Sequence, residues 1–351
     1  MSLRRTTLAA LVGLATLAAT PGISPATAAP NDVTVMSRNL YLGADLIPLA
    51  VATDRENFED IAAAVWQTVQ DTNFPVRAKA LAAELARTKP DLVGLQEAAV
   101  WRKGADGVKD ANATPATEVV YDFTKILLAE AASRGVKYRV AVIQDEFDFE
   151  APTAKGYDVR LTQQDAILVR VGSKVKISKT LKGRYTESFK VPTQVGVADS
   201  RRGWVAVDAK IGTKSFRFVN THLEAYGGDI RNAQAKQLMG SGGPLASKKR
   251  RAILVGDLNS DPRDAAADAA AYKTVRAAGF VDVFRKRPKT SGQPERVNNA
   301  VSELARHIDH ILTRPKMEVL KTQVVGNKTT DRIEGLWPSD HAGVVARIRV
   351  R

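Results

Sequence analysis

The sequence predicts a single α/β domain running from about Ala29 to Arg351. Helix-period and strand-type segments interleave in the first half, and strand-type runs dominate the second half. No Pro-, Gly- or Ser-rich stretch is long enough to act as a linker between them. A hydrophobic fraction of 44% is sufficient to bury a core and argues against global disorder.

The elements follow in chain order. Val33-Thr34-Val35-Met36-Ser37 reads as a buried strand ending at Arg38-Asn39. Asn57 to Gln70 and Val76 to Thr88 read as helices; in the second, Val76, Ala80, Leu81 and Leu85 share one face, and Asn73 and Pro75 mark its start. Pro90 stops that helix, and Asp91 to Gln96 is a strand that delivers Glu97. Lys103 to Thr117 reads as a surface loop, followed by a helix over Thr124–Ser133 and strands near Tyr138–Ile143 and Ala166–Val171. Gly203–Ile211 and Ser215–Asn220, joined through Gly212-Thr213-Lys214, read as a hairpin. Asp229–Leu238 is helical, and Ala252 to Val255 is a buried strand leading into Gly256-Asp257. A helix over Ala265–Ala278 and strands near Arg306–Thr313, Met317–Val325 and Ala342–Val350 complete the chain.

Residues 1–28 stand apart from this pattern. Arg4 and Arg5, an apolar alanine-rich run, and Ala26-Thr27-Ala28 give the order of a cleavable secretory signal peptide, so the mature protein is expected to be secreted. Cysteine is absent, which excludes disulfides, thiolate zinc sites, iron–sulfur clusters and cysteine nucleophiles together. The chain carries 52 Lys and Arg against 38 Asp and Glu, a formal +14 that falls to +12 once Arg4 and Arg5 are removed. Such a balance favours anionic partners, among them nucleic acid, phosphorylated small molecules and anionic membrane surfaces.

Polar residues collect where apolar strands end: Asn39, Glu97, Asn220 with His222, Asp257 with Asn259, Asp309, and Asp340 with His341. Each alone has a structural reading as a turn residue, an exposed charge or a satisfied histidine. Together they suit phosphate ester hydrolysis. Hard oxygen donors such as Glu97, Asp257 and Asp340 suit Mg²⁺, with Mn²⁺ or Ca²⁺ as alternatives, and a divalent ion neutralises a phosphate oxygen. Histidine can activate water or donate to the phosphate, and Asp309 is the candidate partner of His341. Neutral Asn39, Asn220 and Asn259 can hold phosphate or water without adding negative charge. Arg202 opens a strand and is a candidate phosphate contact or a structural ion pair. No G-x-S-x-G, Walker A or G-x-G-x-x-G pattern is present.

At these residues the sequence resembles the endonuclease/exonuclease/phosphatase superfamily, which includes deoxyribonuclease-like nucleases and bacterial sphingomyelinases. The runs are Ser37-Arg38-Asn39-Leu40, Leu95-Gln96-Glu97, Asn220-Thr221-His222-Leu223, Gly256-Asp257-Leu258-Asn259, Arg306-His307-Ile308-Asp309-His310-Ile311 and Ser339-Asp340-His341. They occur in the family's order over nearly the whole mature chain. The resemblance implies a four-layer sandwich: two packed, mainly antiparallel β-sheets flanked by helices. It implies Glu97 as the principal metal ligand, Asn39 beside it, and Asp340 as a further acid at the metal. Asp257 and Asn259 would hold phosphate and position water, His222 and His341 would contact the scissile phosphate, and Asp309 would orient His341. Both His341 and Asp257 stay open as general base for a one-step in-line attack by water.

The leading expectation is an exported, metal-dependent phosphodiesterase acting on nucleic acid. The basic runs Lys248–Arg251 and Arg285–Lys289 are candidates to track a polyanion. The alternatives are a sphingomyelinase-like phospholipase C, making transient membrane-surface contact, or a phosphomonoesterase, and last a non-catalytic binding module. No obligate protein partner is expected. Trp101 and Trp337 are candidates to line a pocket, and Asp145–Glu150, with Phe147 and Phe149 among acids, is poorly suited to an anionic surface.

Overall fold

Two sheets lie face to face, each covered on its outer side by helices. The computed structural model describes residues 31–107, 116–263 and 267–351; the signal-peptide expectation, and part of the expected 103–117 loop, fall outside them. In chain order the elements are β1 (Asp32–Asn39), α1 (Ile47–Ala50), α2 (Arg55–Asp71), α3 (Phe74–Thr88), β2 (Leu92–Gln96), β3 (Val100–Ala105), β4 (Glu118–Asp122) and α4 (Phe123–Ser133). Then come β5 (Tyr138–Thr153), β6 (Tyr157–Arg170), β7 (Lys176–Arg184), β8 (Phe189–Thr193), β9 (Gly196–Ser200), β10 (Gly203–Ile211), β11 (Lys214–His222) and α5 (Gly228–Met239). The chain ends with β12 (Ala252–Asp257), α6 (Ala270–Ala277), β13 (Val281–Asp282), β14 (Asp309–Arg314), β15 (Glu318–Val325) and β16 (Gly343–Arg349).

The larger sheet runs β15-β16-β1-β2-β6-β3-β4, with β5 also paired to β6, and the second runs β13-β14-β12-β11-β10-β7. Among the described strands only β1 with β2 and β11 with β12 pair in parallel. Three apolar layers separate the elements. Phe58, Trp66, Leu81 and Phe123 of the outer helices pack on Met36, Val93 and Leu95. Val35, Val207, Ile253, Val255 and Val344 fill the space between the sheets. Leu254, Val219 and Leu312 face Leu238 of α5 and Val275 of α6. The run Ala252 to Val255 is therefore apolar at every position because both faces of β12 are covered.

The helices start where polar caps allow. Asp54 accepts from the Asn57 N–H, Asn73 from the Val76 N–H and Asp122 from the Lys125 N–H, each meeting a donor that the first turn leaves unpaired. Gly94 lets the sheets approach: a Cβ there would stand 2.5 Å from Val255 Cγ2 and 2.6 Å from Asn220 Oδ1. The strand expected at Tyr138–Ile143 instead runs through Thr153, so Asp145–Glu150 is paired to β6 along its length. β7, with four lysine or arginine side chains on a largely exposed edge, carries too little apolar signal to be legible in sequence. Among the described residues no helix is long and apolar enough to cross a membrane.

Candidate active site

The topology brings the polar strand ends to one edge of the sandwich. Parallel β1 and β2 finish side by side, with Asn39 opposite Gln96 and Glu97 next in the chain. Parallel β11 and β12 finish with His222 opposite Asp257. Antiparallel β14 begins there, pairing Asp309 with Asp257, and antiparallel β16 begins just after Asp340-His341. Six sequence segments thus converge because each contributes a strand terminus to the same edge.

Asn39 is fully buried, and its Nδ2 donates to Glu97 Oε1 at 3.0 Å and to Asp257 Oδ2 at 3.2 Å. Its Oδ1 accepts the Tyr41 N–H at 2.8 Å, so in this geometry Asn39 ties two carboxylates together rather than offering its oxygen as the expected ligand. The other Glu97 oxygen accepts the Leu42 N–H at 2.8 Å. Tyr41, Glu97 and Asn259 all have positive φ, at 59°, 54° and 48°. Asparagine tolerates this region, whereas for tyrosine and glutamate it costs about 1–2 kcal/mol, which surrounding contacts must offset. Arg77 supplies some of them: Nη1 donates to the Leu40 and Pro338 carbonyls, Nη2 to that of Tyr41 and Nε to that of Thr72. Arg38, ion-paired with Glu84 at 2.9 Å out of solvent, also donates to the His341 carbonyl.

His341 Nδ1 stands 2.9 Å from Asp309 Oδ2, and Nε2 faces Ser291 Oγ at 3.2 Å and Asp257 Oδ2 at 3.7 Å. Burial pulls the His341 ring down, but Asp309, Asp340 and Asp257 outweigh it and hold the ring well above its ordinary pKa. These carboxylates favour the protonated ring, with Nδ1 directed at Asp309 and Nε2 into the centre. His222 is its opposite. Burial, with Arg202 and His341 adding to it, holds His222 well below the ordinary value. Arg202 Nη1 lies 3.0 Å from His222 Nδ1 and Asn259 Nδ2 lies 3.1 Å from its Nε2; both are donors, so the neutral ring accepts from one of them and its second nitrogen faces the other. Nε2 also lies 3.6 Å from Asp257 Oδ2.

Four carboxylates, those of Glu97, Asp257, Asp309 and Asp340, belong to this small volume. Burial pushes Asp257 up to about 7, with Asp309 and Glu97 adding to the rise and His341 opposing it. Burial likewise pushes Asp340 up to about 6, with Glu97 adding and His341 opposing. This crowding of hard oxygen donors fits a divalent cation, which would relieve the repulsion. Glu97 and Asp340 are the residues that could hold it, with Asp257 beside them.

The structure departs from expectation at Asn220. It is fully buried; its Nδ2 donates to the Leu95 and Ala166 carbonyls and its Oδ1 accepts from Gln96 Nε2, so it ties one sheet to the other and does not reach phosphate. Arg202 is also buried, its Nε 3.5 Å from Glu224 and its Nη1 on His222, and it lines the cavity described below. Trp337 is in the core with Nε1 on the Asn299 carbonyl, whereas Trp101 does line the cavity described next. Sequence reading missed Gln163, 3.3 Å from His222 Nδ1, and Asp165, which burial raises to about 8 beside Arg202 and Glu97. Neither carries a local sequence signal, since both lie mid-strand in β6.

The catalytic-type residues form the inner end of a cavity of about 380 Å³. Its walls are mainly apolar: Leu46 and Ile47 at α1, Phe147 and Phe149 of β5, Phe189 of β8 and Trp101. Phe147 and Phe149 thus turn inward, while Asp148 between them points outward to Arg160. Lys248–Arg251 precede β12 and lie at its opposite end from Asp257, a strand length of about 20 Å away.

With this geometry in view, a family model described as Endonuclease/Exonuclease/phosphatase family matches residues 69–341. Among solved structures, an endonuclease/exonuclease/phosphatase family protein from Bacteroides thetaiotaomicron is 19% identical, covering 92% of this chain and 98% of its own, at a TM-score of 0.57. A mannosyl-6-phosphatase from Bacteroides thetaiotaomicron VPI-5482 is 20% identical, covering 90% and 99%, at 0.51. TDP2 from D. rerio, complexed with a single-strand DNA product, is 17% identical, covering 90% and 98%, at 0.51. No curated protein matches the chain.

Proposed function

Because this chain belongs to the endonuclease/exonuclease/phosphatase family, whose members are metal-dependent phosphoric ester hydrolases, we propose that it is an exported phosphodiesterase whose substrate carries an apolar group beside the scissile phosphate. The observation that carries this reading is the apolar cavity continuous with the polar centre. A substrate spanning both would bury its hydrocarbon or aromatic body against Phe147, Phe149 and Ile47 and present its phosphate to His222 and His341. A phospholipid-type phosphodiester has this chemistry.

Glu97 and Asp340 would hold the divalent ion, Mg²⁺ first among candidates, and it would neutralise charge on the phosphate. His341, as a cation fixed by Asp309, donates through Nε2–H to a phosphoryl oxygen and gains strength as that oxygen becomes more negative. His222, held neutral, lines the phosphate position without adding a full charge. Of the two candidate bases, His341 and Asp257, Asp257 stands beside the ion's ligands rather than among them, and with its affinity for a proton raised by burial it is the better placed to take one from the attacking water. Asn259 keeps Asp257 aimed, its backbone N–H donating to Oδ1 at 2.8 Å.

Nucleic acid is the second reading. Tyr226, 58% exposed where it lines the cavity and near Phe189, offers a face on which a base could stack. Parallel assays of the purified chain in Mg²⁺ on phosphatidylcholine and sphingomyelin vesicles, plasmid DNA, RNA and a phosphomonoester separate these, with EDTA and His341→Ala as controls. Ile47→Glu puts a charge into the apolar wall. It is expected to lower lipid hydrolysis at least about 10-fold while sparing a small chromogenic diester. DNA or RNA cleavage indifferent to Ile47→Glu, with lipid untouched, would replace the apolar-substrate reading by the nuclease one.

A further inference from the structure

A second cluster lies on the other face of β14 from Asp309. In a strand, successive side chains point to opposite faces; Asp309 faces the active site, and His310 faces α6, its ring 5.0 Å from that of Tyr272. Beside it stand His307 and Asp282, the latter from β13. His307 and His310 are wholly buried and Asp282 is 8% exposed. This grouping owes nothing to the phosphoesterase reading and takes no part in it.

The proton positions leave a gap that a cation would fill. His310 Nε2 lies 3.1 Å from the Ser260 carbonyl oxygen, which only accepts, so Nε2 carries the proton. In the neutral ring Nδ1 is then a bare lone pair, and it stands 3.3 Å from Asp282 Oδ2, another acceptor. His307 is more exposed to the same problem: neither of its ring nitrogens has a hydrogen-bond partner, and its Nε2 lies 3.7 Å from the same Asp282 oxygen, too far for a hydrogen bond. Unpartnered buried polar groups are rare in folded proteins and each costs about 1–3 kcal/mol.

We propose that Asp282 Oδ2, His307 Nε2 and His310 Nδ1 form a structural site for a borderline transition metal of the Zn²⁺ class. Zinc takes imidazole nitrogen and carboxylate oxygen at about 2.0–2.2 Å, which puts neighbouring ligands of a tetrahedron about 3.3–3.5 Å apart. The observed 3.3 and 3.7 Å fall around that edge length, and the three donor atoms all lie within 4.8 Å of one another. The surroundings fix the ligands from behind. The Ser260 carbonyl holds His310, the Phe284 N–H donates to Asp282 Oδ1 at 2.8 Å, and the Tyr272 hydroxyl donates to Oδ2 at 3.3 Å. Two imidazoles select against Mg²⁺, so this site and the all-oxygen active centre take different ions. An ion here would clamp the residues on both sides of Asp309, the partner of His341.

The test uses the full chain, stripped with a chelator, supplied with excess Mg²⁺ to fill the active centre, and titrated with Co²⁺ as a coloured substitute for Zn²⁺. One equivalent with the intense visible bands of tetrahedral Co²⁺, displaced by Zn²⁺, is expected. His307→Gln and His310→Gln should each weaken Zn²⁺ binding at least about 100-fold, more than loss of an outer hydrogen bond does, while Asp257→Asn keeps the full equivalent. Absence of tetrahedral Co²⁺ in the wild type, its survival in both histidine variants, or its loss in Asp257→Asn alone would each overturn the site. Imidazole ¹⁵N NMR of the wild type decides the matter even if the variants fail to fold. Zinc should shift the His310 Nδ1 and His307 Nε2 resonances, whereas a His310 Nδ1 proton persisting under zinc means an imidazolium–carboxylate pair instead and no metal.

Discussion

Asp257→Asn should stabilise the metal-free protein while abolishing turnover, and the stabilisation should grow with pH. Asp257 is 1% exposed and titrates at about 7 in the folded chain, against 3.8 for an unperturbed aspartate. A carboxyl whose folded pKa is raised is fully tolerated below the unfolded value, and stability is lost as pH rises from there through the folded value. The gap of about three pH units, at about 1.4 kcal/mol each, corresponds to about 4 kcal/mol of folding free energy forfeited by pH 8. About 3 kcal/mol of that is lost between pH 5 and pH 8. Asparagine imitates the protonated acid and does not incur the loss. Urea unfolding of both proteins in EDTA at pH 5 and pH 8 measures it: the advantage of Asp257→Asn should be about 3 kcal/mol larger at pH 8. Saturating Mg²⁺ should restore the wild type at pH 8 and help the variant far less. An advantage equal at the two pH values, or shrinking as pH rises, would refute the claim that crowded carboxylates hold the centre in a destabilised state for function.

Three further outcomes follow from the same geometry. Glu97→Gln should weaken Mg²⁺ binding at least about 10-fold while changing unfolding free energy by less than about 1 kcal/mol; calorimetry showing unchanged affinity removes Glu97 from the ion site. Asp309→Asn should lower kcat about 10²–10⁴-fold. It should also move the alkaline limb of the pH–rate profile downward, because His341, raised by Asp309 and its neighbours, then loses its proton at lower pH; an unmoved limb rules out the imidazolium role. Glu84→Gln leaves the buried Arg38 without its counter-charge and should cost about 3–5 kcal/mol in chemical denaturation. A loss under about 1 kcal/mol means that the Asn39 and His341 carbonyls satisfy Arg38 by themselves.

Much of the centre was legible because its residues punctuate apolar strands. Asn39, Glu97, His222, Asp257, Asn259, Asp309, Asp340 and His341 all come to one edge, and the His341–Asp309 pair expected from sequence stands at 2.9 Å. Asn220 carries the same punctuation yet faces between the sheets, since residues two apart share a face and His222 takes the outlet. The inward turn of Phe147 and Phe149 was hidden by their acidic neighbours, which made an alternating, half-buried strand look like an exposed segment. β7, β8 and β9 escaped notice because edge strands and small hairpins need few apolar residues.

By itself the sequence determined the layered α/β class, through apolar periodicity, and the chemical type of the centre, through the residues available at strand ends. It could do so because those features depend on a few neighbours along the chain. Which side chains meet was decided only in the tertiary structure. The favoured protonation of His341, the neutral state of His222, the raised carboxylates of Asp257 and Asp340, and the apolar cavity beside them arise from contacts between segments that are separate along the chain. Burial and charge proximity set those properties, and neither exists until the two sheets have closed on each other.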